Sequence, residues 1–535
     1  MLNIPSHFTI IDSPDSEDVI DLIRQELKFE KRSRAFPKKG RIQTIISKAR
    51  NCNIGIDEVI EREYSGLQEF LEDIEMIAGA FRKYKRLNHL FDYDDLMEFL
   101  RDSLRDNLHF RRKVQDLYRY IMVDEFQDTN VVQKEIVDFM AERHRNLMVV
   151  GDDTQSIYAF RGANFENILK FPETWKDCQV VKLEQNYRSN QDLLNFTNSI
   201  ARKAQLGYRK RLFSEITHPW KPVVARFYDH EEEAEFIVGK IMDLRERDVP
   251  MDEVAVLYRA SYHGNFIQAE LLRRNIPYVV VGGIKFVERR HIKDLIAYMR
   301  IILNPRDAVA WNRVLKLLPG VGQVTASQII RDINKEGGEL VFERFSGKKY
   351  SPELQRLQQS LADAAQPGVT VAGKVDLLIR YYTPILRNLE DDFELRLQDA
   401  DVLRKLAGKY DELEKFLSDF ALDPPSDRFQ DSNQPLIDES EDNPVTLSTI
   451  HSAKGLEWYA VFVPHLLDGL FPTARALGSI EEVEEERRLF YVACSRAKEQ
   501  LYLTLPSFHA AWDAYFTLPS RFIAEIEKEN YIVNE

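Results

Sequence analysis

Two stretches constrain this chain most: Ile121–Asn130, IMVDEFQDTN, and Met148–Asn164, MVVGDDTQSIYAFRGAN. Each opens with an apolar run of strand length and stops abruptly in acidic and turn-forming residues. Between them VVQKEIVDFMAE carries helical spacing, so the pattern is strand, helix, strand, the alternation of an open α/β sheet. Ligands of such sheets sit outside the carboxyl ends of the strands, where Asp124 and Glu125 fall. Adjacent residues at a strand tip point to different sides. One carboxylate can therefore hold Mg2+, directly or through its water, while the other orients and deprotonates an attacking water. For the acidic dipeptide alone, a solvated strand end is the plainer explanation.

The 535 residues are too many for one core and predict about two to four domains. A hydrophobic content of 44% with 30% charged residues is that of an ordinary globular chain. No apolar run approaches the length of a membrane span, and the opening MLNIPSHFTIIDSPD lacks the basic start and apolar core of a signal peptide, so the expected location is cytoplasmic. Cys52, Cys178 and Cys494 stand far apart without a CxxC pair, which suggests neither a disulfide framework nor a zinc or iron–sulfur site. The net charge of −14 does not exclude nucleic acid, because phosphate contacts are counted along a local groove rather than over the whole surface.

Further strings follow the opening pair: LEQNYRS (Leu183–Ser189), TIHSAKGLEW (Thr449–Trp458) and EEERRLFYVACSRAK (Glu484–Lys498). With IMVDEFQDTN and MVVGDDTQSIYAFRGAN they make five ordered motifs, and the chain resembles the UvrD/Rep-like superfamily 1 DNA helicases. The resemblance implies an α/β fold with two RecA-like motor domains, the first incomplete, and mostly helical insertions. It implies an ATP-driven motor that walks 3′ to 5′ along single-stranded DNA and separates duplex at ss/ds junctions. The two motor domains would close on ATP and Mg2+, and DNA would lie across their tops.

The same resemblance divides the chain. Residues 1–115 would be a remnant of the first motor domain with its helical 1B insertion, and 116–190 the rest of that domain. Residues 191–285 would begin the second motor domain, 286–443 would form a helical 2B insertion, and 444–535 would complete the second domain. Within 1–115, Ser16–Leu27 and Tyr64–Lys85 have the spacing of amphipathic helices. The run Lys28–Arg50, KFEKRSRAFPKKGRIQTIISKAR, is either a phosphate-following track or a solvated loop, and Pro37 and Gly40 keep it from being one long helix. FDYDDLMEFL (Phe91–Leu100) looks like the return to the first motor domain, and Asp423–Asn443, acidic and aperiodic, reads as a mobile linker.

Site roles follow the motifs. Asp124 would hold the metal, Glu125 would act as general base, and Gln155 would sense the terminal phosphate. Tyr187 would stack on adenine, Arg188 and Arg496 would reach the γ-phosphate, Glu457 would contact the ribose, and Lys454 would help couple nucleotide and DNA. Tyr158, Phe160 and Arg161 would grip single strands, since every base has a π-face and every phosphate a charge. Thr449 and His451 would meet DNA phosphate. LLPGVGQVTASQII (Leu317–Ile330) looks like a helix-hairpin-helix whose Gly320 and Gly322 expose N–H groups to a phosphate; a simple helix-to-helix turn is the alternative.

Family members also carry a phosphate-binding loop, GxxxxGK[ST], whose N–H groups cradle the phosphates and whose hydroxyl ligates Mg2+. The 535 residues contain no such string; SGKKY at Ser346 and AGKVD at Ala372 lack the hydroxyl residue and the preceding strand. The expectation is a fragment or split subunit, with a separate P-loop-containing polypeptide as partner and with sheet strands left unpaired in the first motor domain. The alternative is a noncatalytic DNA-binding or partner-binding remnant. Retention of Asp124, Glu125, Gln155, Arg188 and Arg496 favours the enzyme.

Overall fold

The protein is seen in a computed structural model that describes residues 8–29, 36–205, 207–283, 285–336, 340, 342–390, 392–421, 443–507, 509–511, 514–516 and 518–534. The expected linker 423–443 thus lies outside the described residues, apart from Asn443. Contacts group the chain into two units: Met1–Asn186, Asn198–Phe213 and Gly478–Val492 form the first, and Tyr187–Thr197, Ser214–Leu477 and Ala493–Glu535 form the second.

In the first unit, the side chains of Asp12, Asp92 and Asn130 each accept the N–H three residues on, and their own backbone N–H donates to that residue's side chain. These capping boxes start the helices Ser13–Glu26, Tyr93–Asp106 and Val131–Ala141. Ile42, Ile45, Ile46 and Ala49 recur at helical spacing on Lys39–Cys52 and bury against Ile20, Ile23 and Ile74. The described part of the basic run is therefore mostly a core helix. Its cations are taken up locally: Lys39 pairs with Asp18 at 2.5 Å, Lys48 with Glu63, and Arg50 with Asp92, Asp95 and Glu98. A bare positive track is not what these residues present.

Two strands of this unit, β1 (Ile121–Val123) and β2 (Leu147–Val149), pair in parallel with Met122 opposite Met148. One face, Ile121, Val123, Leu147 and Val149, packs on Phe126, Ile168, Phe171 and Trp175. The other face is bare: Met122 is 77% and Met148 56% exposed. Val180, Val181 and Leu183, which the sequence suggests as a further strand, join no ladder among the described residues and are also exposed. The nearest pairing is the isolated bridge Gln185–Phe213.

The second unit has a closed counterpart. Strands β3 (Val223–Phe227), β4 (Val254–Tyr258), β5 (Tyr278–Val281), β6 (Val445–Thr449), β7 (Trp458–Val463), β8 (Ala497–Pro506) and β9 (Ile532–Asn534) form one sheet in the order β9-β3-β8-β7-β4-β6-β5. Every pairing in it is parallel. Central strands of a parallel sheet are covered on both faces, which is why β4 reads as an unbroken apolar run and is buried throughout. Between β5 and β6 the described residues are mostly helical, and Tyr298, Trp311, Leu354, Leu378 and Leu403 give that insertion its own core. Ala372–Asp376 lies in the first turns of the helix Val371–Leu389, and 346–350 in turns before the helix Ser351–Ala365. Among the described residues no helix is long and apolar enough to cross a membrane.

Candidate functional site

Asp124 and Glu125 follow β1 directly, and Glu125 has φ 49°, the left-handed region that a residue with a Cβ enters at a cost. This turn splits the two side chains at the strand end. Asp124 is exposed and its Oδ1 accepts the Glu125 N–H at 2.9 Å. The Glu125 carboxylate accepts from the Gln127 amide. Gln127, wholly buried, turns its Oε1 the other way and accepts the Asp152 N–H at 3.0 Å in the loop after β2.

That loop is tied down on several sides. Asp152 accepts from Gln155 Nε2 at 2.7 Å and pairs with Lys210, while Asp153 accepts the Tyr208 N–H at 2.9 Å. Burial pushes the Asp152 carboxyl up, but the Lys210 ammonium and the bonds from Thr154 and Gln155 outweigh it and hold the group below the usual carboxylate range. Arg488 donates to the Ser156 carbonyl at 2.8 Å and lies 4.6 Å from the Phe165 ring centroid. The loop then presents Tyr158 and Phe160, ring centroids 6.1 Å apart, with the Arg161 guanidinium 5.5 Å from each. Phe160 and Arg161 are exposed and Tyr158 half-buried. Gly162, at φ 88°, lets this turn rest on the helix Lys39–Cys52: a Cβ there would meet Asn51 Cβ at 2.8 Å. The three expected DNA residues are thus gathered on one projection, and it hangs from the same frame as the two carboxylates.

In the second unit, Ser189 Oγ donates to the Ala497 carbonyl at 2.6 Å and Asn190 Nδ2 to the Glu499 carbonyl at 3.2 Å, laying NYRSN along the start of β8. Arg188 then bonds Glu457 at 2.5 Å and the Ser495 carbonyl at 3.1 Å. The bond from Arg188 holds the Glu457 carboxyl low, with Lys498 adding to it at 3.7 Å. On the helix Ile480–Cys494, whose residues to Val492 belong to the first unit, Leu489, Val492 and Ala493 are buried. Arg496 stands in the turn between that helix and β8 and is buried at 2% exposure, donating to the Leu456 carbonyl at 3.3 Å and to Ser495 Oγ at 3.0 Å. Tyr187 is exposed beside this cluster. Arg188, Glu457 and Arg496 are thereby brought together from sequence positions far apart.

Thr449 and His451 sit where β6 ends. Thr449 Oγ1 donates to Ser452 Oγ at 3.1 Å, and His451 and Lys454 are half-buried in the turn that closes at Gly455. Gly320 (φ 84°) and Gly322 are exposed ahead of the helix Gln323–Lys335, with Gly322 as its N-cap and no side chain covering the first N–H groups. Among the described residues no group of His, Cys, Asp and Glu is arranged to hold a metal by itself. The residues of the first unit fit Mg-ATP in part: an exposed carboxylate at a strand tip and a second one that accepts from a side-chain amide.

Sequence reasoning missed Gln127, Asp152, Lys210 and Ser495. Gln127 lies inside a quoted motif, and its polar side chain between Phe126 and the acidic Asp128 was the available signal. Lys210 belongs to no motif and is joined to Asp152 only by the fold.

The description UvrD/REP helicase N-terminal domain matches residues 1–176, and UvrD-like helicase C-terminal domain matches residues 181–507. The chain is 31% identical over 549 residues to the ATP-dependent DNA helicase PcrA of Leuconostoc citreum, covering 99% of this chain and 72% of that one. It is 32% identical over 563 residues to PcrA of Staphylococcus aureus, covering 98% and 73%. A probable DNA helicase II homolog of Mycoplasma capricolum is 30% identical over 552 residues, covering 99% and 74%.

Proposed function

Because the chain belongs to the UvrD/Rep-type DNA helicases, we propose that it is the larger part of an ATP-dependent motor moving 3′ to 5′ on single-stranded DNA. It opens duplex at ss/ds junctions in the cytoplasm. The sheet of each unit is read as a RecA-like core, the first incomplete. The phosphate-binding loop, which the 535 residues do not contain, comes from a further polypeptide that adds strands to β1 and β2. Mg-ATP, when bound, supplies the phosphoanhydride whose cleavage drives the cycle.

The residues divide the work. Asp124 offers a metal ligand, Glu125 takes the proton of the attacking water, and Gln155 senses the terminal phosphate. Arg188 and Arg496 stabilise charge on the transferred phosphoryl group, a role worth about 10³ to 10⁵ in rate for a positioned cation. Reaching it requires Arg188 to exchange its bond with Glu457 for phosphate, which frees Glu457 for the ribose beside Tyr187. Tyr158, Phe160 and Arg161 hold the single strand, Thr449 and His451 its phosphates with Lys454 behind them, and Gly320 and Gly322 the duplex backbone.

One observation carries this reading: the carboxylate pair and the aromatic projection share one hydrogen-bonded frame through Gln127 and Asp152. The test is complementation. A polypeptide carrying the family's P-loop, taken from an intact homologue in which it functions, is mixed with this chain and DNA-stimulated ATP hydrolysis is measured. Hydrolysis should appear, and Glu125→Gln should lower it by about 10² to 10⁴ while leaving association and DNA binding intact. A mixture that associates and never hydrolyses ATP establishes the noncatalytic remnant instead.

A further inference from the structure

Gln127 is the most deeply buried polar side chain in the neighbourhood of the carboxylates, and its amide is used at both ends. Nε2 donates to Glu125 Oε2 and, at 3.5 Å, toward Asp128 Oδ2; Oε1 accepts the Asp152 N–H at 3.0 Å. Its own carbonyl accepts from Ser156 Oγ at 3.1 Å. The orientation is forced. With the amide turned over, an oxygen would face the carboxylates and an NH2 group would face a backbone N–H, so both bonds would become repulsions. Space is short as well: a Cβ on Gly151 would lie 2.3 Å from Gln127 Oε1 and 2.8 Å from Ile168 Cδ1, so a larger residue there would displace the Gln127 amide.

From Asp152 the connection runs on. Its carboxylate accepts from the Thr154 N–H at 3.0 Å and from Gln155 Nε2 at 2.7 Å, and Lys210 closes the far side. Two residues past Ser156, which is held by Gln127 and Arg488, the chain reaches Tyr158. The Glu125 carboxylate cannot swing away without leaving a buried amide short of a partner, and that amide cannot turn without releasing the loop.

We propose that Gln127 is a positioning residue that couples the Glu125 carboxylate to the loop bearing Gln155, Tyr158 and Phe160, so that a change at either end is felt at the other. The inference rests on the helicase reading for what the two ends do, but the coupling itself is a property of this chain. It adds to that reading a route, inside one unit, by which DNA on the aromatic projection sets the alignment of the base.

The test uses the full chain and needs no hydrolysis. Amide hydrogen exchange at Asp152 and the Kd for a thymidine oligomer are measured for the parent, Gln127→Met, Glu125→Ala and the double variant. Gln127→Met keeps length and loses both bonds. Exchange at Asp152 should quicken about tenfold in each single variant, and DNA binding should weaken by roughly threefold to tenfold. The double variant should be no worse than either single, because one link has been cut twice.

Gln127→Glu keeps the shape but sets a carboxylate oxygen against Glu125 and Asp128 on its own turn, so exchange at Asp152 should quicken in it as in Gln127→Met, which a packing role would not produce. Additive losses in the double variant, or an Asp152 amide unmoved in Gln127→Met, reduce Gln127 to core filling. Should Gln127→Met fail to fold, unchanged exchange in Glu125→Ala, an exposed position, overturns the coupling equally. If the parent does not bind DNA, the DNA-grip reading fails while exchange at Asp152 still decides the link.

Discussion

Strands of similar composition meet opposite fates in the two units. Val254–Tyr258, VAVLY, lies inside seven parallel strands with every side chain buried, whereas Ile121–Val123, IMV, lies in a pair whose Met122–Met148 face is bare. Both are short apolar runs. What separates them is the number of neighbours, since a sheet face is buried by what crosses it and not by its own sequence. The closed sheet carries Arg188, Glu457 and Arg496 on a finished frame.

The sharpest contrast is energetic. Phe462 on β7 is fully buried and stacks on Tyr502 with centroids 4.6 Å apart. Phe462→Ala should destabilise the second unit by about 3 to 5 kcal/mol, transfer and cavity terms together, read by urea unfolding. A much smaller loss would mean that the closed sheet is less tightly packed than its burial implies.

A second difference is in pH. His230 begins the helix Asp229 caps, and burial first, then Lys405 and His465, lowers its pKa from 6.5 to about 4. Asp229 and Glu233 pull the other way and do not prevail. The folded form thus binds fewer protons than the unfolded form between those values. Stability from this group is whole above pH 6.5 and declines as pH falls toward 4, by about 2 kcal/mol at pH 5. Melts of the parent and of His230→Asn at pH 7 and pH 5 should show a shallower decline in the variant; parallel declines would remove His230 from the account.

How far the sequence reached follows from the same physics. The strands Ile121–Val123 and Leu147–Val149 and the helix Val131–Ala141 between them were legible because periodicity is local. The contact of Arg188 with Glu457, 269 positions apart, is not local and was not legible. Val180–Leu183 has a strand's composition and no partner, so propensity had nothing to pair with. Cations in the basic run looked free because Asp18, Glu63 and Asp92 sit elsewhere in the sequence. Gln127 and Lys210 were invisible because burial is a property of the fold.

On the open unit the aromatic projection gives an intermediate effect. Phe160 is about half exposed and flanked by Arg161, so Phe160→Ala should leave folding unchanged and weaken single-strand binding by about 1 to 3 kcal/mol. Titration of a labelled oligomer at fixed low salt measures it. A variant that binds like the parent removes this ring from the DNA surface.

The smallest effect on stability tests the comparison itself. Met122 and Met148 are opposite each other on β1 and β2, and neither buries much surface in this chain. Met122→Lys should therefore change the stability of the isolated chain by no more than about 0.5 kcal/mol, as for a surface position. It should also make the chain more soluble by breaking an exposed apolar patch. When strands of a P-loop-bearing polypeptide cover this face, the same substitution places an ammonium in an apolar layer, and association should weaken at least tenfold while Met242→Lys, on an exposed helix face of the second unit, leaves it unchanged. A Met122→Lys chain that is itself strongly destabilised would show the face to be covered already. A chain that associates as well as the parent would show that the partner's strands lie elsewhere.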